Sequence, residues 1–219
     1  MKFFTNIVFL IILSSSLFAN IGSITSLQGQ VHVLRNNKAL RAFKSFKLEK
    51  QDIIETSKNG SAKMVFKDKT TITLGKNTIF KIEDYLFDNT KKSKSVFKIT
   101  SGFFKAISGK IGKVARKNFK LKTINATIGI RGTIFEGTTN EDYDYIKCDR
   151  DSIEVSANGA SKIVYAGEYT FVREGEAPLK PKKVKKALQP EAQQSTQPEV
   201  STAFVNNIID KSSRHFWLC

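Results

Sequence analysis

The sequence predicts an all-β fold of short strands, solenoid-like or sandwich-like, followed by a flexible C-terminal tail in which a short helix is expected. Three observations carry this. Apolar and polar residues alternate along short runs, the period of a strand with one buried face. Clusters of Gly, Asn, Asp and Lys separate those runs. The runs also recur evenly: Phe66, Leu74 and Ile82 stand eight residues apart. Strands every 8–12 residues or so mark a sandwich, barrel or solenoid, and the regular step leans toward stacked rungs.

The elements follow in order along the chain of 219 residues. Ile24 to Leu34 gives two short strands about Gly29, and Asn36-Asn37-Lys38 is a turn. Asp52 to Thr56 leads into the turn Lys58-Asn59-Gly60. Ala62, Met64 and Phe66 alternate, then Ile72 and Leu74, then Phe80 and Ile82, separated by Lys67-Asp68-Lys69 and Gly75-Lys76-Asn77. Lys91 to Ser95 reads as a solvated loop, and Val96, Lys98 and Thr100 alternate against Phe97 and Ile99. Lys113 to Asn118 suits a basic helical turn. After it come Phe119, Leu121 and the stretch Thr123 to Gly137. Tyr143, Tyr145 and Ile146 precede Cys148, and Asn158-Gly159 joins two further runs as a hairpin. Glu168 to Val172 is the last run.

Four segments are expected. Residues 1–19 read as a secretory signal peptide: Lys2, an apolar run from Phe3, and Leu17-Phe18-Ala19 before a cut near Ala19–Asn20. An uncleaved anchor is the alternative, since the stretch lies at the short limit for a span. Residues 20–178 form the β domain. Residues 179–200 are a linker, with a basic run from Lys180 to Lys186 and a Gln/Pro-rich part. Residues 201–219 form the tail, where Phe204, Val205, Ile208 and Ile209 sit at helical spacing. After cleavage no segment is expected to cross a bilayer, and the mature chain is expected in the periplasm.

Lys and Arg number 36 against 20 Asp and Glu, a net charge of +16. Such a surface attracts polyanions. Export argues against nucleic acid, leaving anionic glycan or lipid; a lysine-rich solvated face is the plainer account. Cys148 and Cys219 are the only two cysteines, and their pairing stays open.

Catalysis needs acids, bases or nucleophiles within hydrogen-bond reach of one another. His32 and His215 are the only histidines. His32 reads as a surface or half-buried strand residue, and nothing places it beside Cys148. The acidic run Glu141-Asp142-Tyr143-Asp144 lacks the ligand order of a calcium loop and reads as solvated. Without a Cys/His cluster no zinc site is expected. The expectation is a protein that is not an enzyme, without cofactor or metal.

The stretch Thr123 to Gly137 is the most regular. Its even positions Ile124, Ala126, Ile128, Ile130 and Ile134 are apolar, yet Gly129 and Gly132 interrupt it around Arg131. Glycine inside a strand marks a bulge, a bend or a close approach. The simplest reading puts a bulge at Gly132, with the Arg131 guanidinium satisfying the carbonyls it frees. The second reading gives Arg131 an anionic ligand or a partner's carboxylate.

These residues also carry a resemblance. Gly22 to Val31, Asp52 to Thr56, Ala62 to Asp68 and Tyr165 to Glu168, in that order, resemble the FecR domain. Leu121 to Thr133 is similar to that family's T-P-x-A-x-x-x-V/I-R-G-T signature, with Ile124 in place of the usual proline. The motif residues are Thr123, Ala126, Gly129, Arg131, Gly132 and Thr133. The resemblance runs from about Ile21 to Phe171. It implies a periplasmic, all-β, solenoid-like domain that binds or transmits and does no catalysis. The family's namesakes relay ferric-siderophore signals from an outer-membrane receptor to a cytoplasmic sigma factor. Only Met1 and Lys2 precede the apolar run, so the chain is not expected to act as such an anti-sigma factor alone. The expected function is a binding or signal-relay module of the bacterial cell envelope with an envelope protein as partner. The alternative is a basic polyanion- or cell-wall-binding protein.

Overall fold

The computed structural model describes residues 20–184. The leader (1–19) and the expected tail helix (201–219) lie outside the described residues.

Among the described residues the first eight strands are β1 (Gly22–Gln28), β2 (Val31–Arg35), β3 (Lys38–Arg41), β4 (Lys47–Leu48), β5 (Ile53–Thr56), β6 (Ser61–Phe66), β7 (Thr71–Leu74) and β8 (Ile79–Leu86). The long β9 (Lys94–Ile107) follows, then a one-turn helix α1 (Ile111–Val114) and a 3-10 turn (Arg116–Asn118). The remaining strands are β10 (Phe119–Lys122), β11 (Thr127–Ile130), β12 (Ile134–Thr139), β13 (Tyr143–Arg150), β14 (Ser152–Ala157), β15 (Ala160–Tyr165), β16 (Glu168–Arg173) and β17 (Lys182–Lys183).

These strands make one hydrogen-bonded sheet that β9 folds into two halves. One half runs β4-β1-β6-β7-β9-β12-β13-β16-β17. The other runs β3-β2-β5-β8-β9-β10-β11-β14-β15. The fold line falls at Gly102. Before it, β9 pairs with β8 and β10; from it onward, β9 pairs with β7 and β12. Gly102 has φ +92, and a Cβ there would stand 2.3 Å from Thr78 Oγ1 and 2.7 Å from the Asn77 carbonyl. Only glycine meets both conditions.

The two halves close on one core. Phe66 from the first half stacks 4.9 Å from Phe97 of the second, and Phe97 meets Phe80 at 5.3 Å and Phe119 at 6.0 Å. All four rings are buried. Of the two layouts left open by the eight-residue step, the strands take the sandwich. Stacked rungs need parallel neighbours, and β9–β10 is the one parallel pairing among the described residues.

The turn chemistry follows the residues. Asn36 and Asn37 sit at φ 50 and 60 between β2 and β3, and Asn158 and Gly159 at φ 45 and 73 between β14 and β15. Both are two-residue hairpin turns with positive φ at both central positions, which Asn and Gly tolerate best. The basic stretch before Asn118 forms α1 and the 3-10 turn, as its composition suggests. Lys182 and Lys183, within the basic run, add β17 to the edge beside β16.

Candidate functional site

The motif stretch is two strands in different halves, which corrects its reading as a single bulged strand. β11 lies in the second half, between β10 and β14. β12 lies in the first, between β9 and β13. Arg131-Gly132-Thr133 is the crossover, and Gly132 makes it at φ +90. The buried parity switches there. Ile128 and Ile130 are buried before it; Thr133, Phe135, Gly137 and Thr139 are buried after it. Ile134, expected on the inner face, is half-buried instead. The register irregularity lies between Ile134 and Phe135 opposite β13, not at Gly132.

Thr133 fixes the crossover. Its N–H donates to Ser108 Oγ at 2.9 Å, and its hydroxyl donates to the Arg150 carbonyl. Ser108 N–H donates back to the Thr133 carbonyl at 3.1 Å. Upstream, Thr123 and Ala126 close the turn before β11: Ala126 N–H donates to Thr123 Oγ1 at 3.0 Å, and Thr123 N–H to the Ala126 carbonyl at 2.9 Å.

Asp144 anchors this turn. Its carboxylate accepts from the hydroxyls of Thr123 and Thr139, each at 2.5 Å, and from Asn125 Nδ2 at 3.3 Å. It is fully buried. This corrects the solvated reading of residues 141–144 for that member. Burial pushes the Asp144 carboxyl up, against the pull of its three donors. Two other buried carboxylates, Asp52 and Asp68, also anchor the chain. Asp52 takes a bidentate contact from Arg35 at 2.7 Å on both oxygens. Asp68 accepts from Thr70, from Tyr85 Oη at 3.0 Å and from Ile111 N–H at 3.2 Å. In the sequence Asp52 and Asp68 stand only as letters of the family resemblance, and their anchoring role emerges with the fold. The Asp68-x-Thr70 spacing, which suits a local side-chain turn, was the available signal.

Arg131 does not bracket the crossover. Its side chain is exposed and makes no hydrogen bond among the described residues; its backbone N–H donates to the Ser152 carbonyl at 3.2 Å. Arg131 instead lines a cleft of about 540 Å³ with residues of the 3-10 turn, β10, β11 and β14, the buried Phe119 and Ile130 among them. Arg116, Lys117 and Lys120 border it too, with Glu154 as the one carboxylate. None of the four cations has a carboxylate partner among the described residues, whereas Lys105, Lys122 and Lys147 are all paired. The floor is Gly129, held in register between Lys120 on β10 and Glu154 on β14.

The remaining reactive side chains stand apart. Cys148 is free and fully buried, with Sγ 3.2 Å from the Arg150 carbonyl. Burial pushes its thiol up, away from the reactive thiolate. His32 is exposed on β2, paired with Arg41 and Glu55 and not brought to Cys148. Cys219 lies outside the described residues. Among the described residues no group of three or more His, Cys, Asp or Glu could hold a metal ion, and no helix is long and apolar enough to cross a membrane. On the first half, Lys105 and Lys147 each bridge Glu136 and Asp149, at 2.7–3.0 Å. Burial opposes the charge of Asp149, but its two lysine partners hold its carboxyl below the usual range.

The folded sheet, with the cation-bordered cleft on it, defines an all-β domain. Residues 52–176 match the family described as FecR protein, and the chain belongs to that family. Among curated proteins there is no match. Two crystal structures of a protein from Parabacteroides distasonis ATCC 8503, described as a candidate anti-sigma factor and determined at 1.65 and 2.50 Å, are similar at 13% identity and a TM-score of 0.49. The alignment covers 60% of this chain and 59% of theirs.

Proposed function

We propose that this FecR-family chain is a non-enzymatic binding and signal-relay module of the bacterial cell envelope, exported to the periplasm by its first 19 residues. The observation that supports it most is the family match over residues 52–176. Its apolar N-terminal run supports export. The placement of its reactive groups agrees: Cys148 is sealed in the core and His32 lies on another strand of the other half. The motif residues Thr123, Ala126, Gly132 and Thr133 build the scaffold, while Gly129 and Arg131 face the partner.

The test is fractionation followed by capture. Processed protein from the periplasmic fraction should begin at Asn20. Used as bait against the envelope fraction, it should retain one defined protein. A bait that stays monomeric and holds nothing specific would overturn the binding role. Cys148→Ser should leave the captured partner unchanged; a lost phenotype would return the thiol to the chemistry.

A further inference from the structure

Gly129 has no structural reason to be glycine. Its φ lies outside the left-handed region, and the nearest atoms to an added Cβ are on Glu154, at 3.9 and 4.0 Å. Glycine in a strand interior weakens the strand. A side chain here would project outward, between Lys120 and Glu154, into the cleft. The vacancy keeps that space open.

The borders indicate what enters. Four cations without partners and one carboxylate surround the floor, giving a local charge of about +3. Every strand beneath is paired on both sides, β11 between β10 and β14, so the floor offers no free edge for strand addition. Recognition falls to side chains. Glu154 repels a ligand that is anionic throughout and attracts one that also carries a cation. The concavity and the polar Thr127 and Ser156 suit a narrow chain better than a flat membrane.

We propose that this cleft binds an acidic peptide segment of a partner protein, with carboxylates on Arg116, Lys117, Lys120 and Arg131 and a neighbouring basic side chain on Glu154. The inference rests on the binding role proposed above, but direct titration tests it whether or not capture succeeds.

The probes are two fluorescent peptides of equal net charge, Glu-Glu-Lys-Glu-Glu and Glu-Ser-Glu-Ser-Glu, titrated by anisotropy against the full chain at 0.15 M salt. Saturable binding is expected, tighter for the lysine-bearing peptide. Glu154→Gln should erase that preference. Gly129→Leu should abolish binding while the melting temperature holds or rises. Lys120→Ala with Arg131→Ala, both exposed, should weaken binding about tenfold. Lys58→Ala with Lys76→Ala, in turns elsewhere, should change nothing. If the turn variant weakens binding as much as the cleft variant, net charge is responsible and the proposal fails. Full binding by Gly129→Leu, or a preference for phosphatidylglycerol vesicles that ignores the cleft variants, would also overturn it. Should Gly129→Leu not fold, the Lys120/Arg131 pair and Glu154→Gln decide alone.

Discussion

Asp144 collects three side-chain donors, Thr123 and Asn125 from the turn before β11 and Thr139 from the end of β12; Thr123 and Asn125 keep a second, carbonyl acceptor, so its removal leaves Thr139 worst placed. Asp144→Ala is expected to cost about 1–3 kcal/mol, because the hydroxyls of Thr123 and Thr139 lose a buried acceptor. Chemical denaturation measures it. The pH dependence has a definite sign. The folded carboxyl is raised, so its contribution is present below the ordinary carboxylate value and lost as pH rises through the raised one. Asp144→Asn should therefore gain on the wild type in melting temperature from pH 4 to pH 7. Asp149 runs the other way: its lowered carboxyl stabilises above the ordinary value, and that contribution is lost as pH falls through the lowered one. Gly129→Ala should stabilise by about 0.5–1 kcal/mol, the usual gain when an unstrained strand glycine gains a Cβ. A loss of stability there would mean the position has a packing role. At this scale the sequence was partly legible. It singled out Gly129 and Arg131, but a lone carboxylate's partners come from strands far apart in sequence.

At the scale of elements, β9 decides the architecture. Gly102→Ala places a Cβ against Thr78 and the Asn77 carbonyl and forces φ +92 on a residue that disfavours it. It is expected to destabilise by about 1–3 kcal/mol or more, read as a fall in melting temperature. Hairpin turns were legible because Asn36-Asn37 and Asn158-Gly159 carry their backbone conformation in their chemistry. The crossover at Arg131 was not. Period-two alternation continues through it in the letters, and Ile134 prolongs the even series. The signal was the adjacent pair Ile134-Phe135: with the parity already switched at the crossover, the larger ring takes the core. The choice between sandwich and rungs was equally hidden, since both give short strands at even spacing.

For the whole molecule, the excess of Lys and Arg does not by itself name a ligand. Several lysines are held by carboxylates on the sheet faces, and of the cations without such a partner four, Arg116, Lys117, Lys120 and Arg131, border one cleft. Contacts made only by exposed charge are screened over about 8 Å at 0.15 M salt. A shaped cleft keeps selectivity after that screening. The direct measurement is capture from the envelope fraction at low and high salt, with the wild type and Gly129→Leu side by side, read by mass spectrometry. One protein held by the wild type at low salt and lost by the variant, with its retention weakening as salt rises, is the predicted result. A broad set shed at high salt, held equally by both baits, would contradict it.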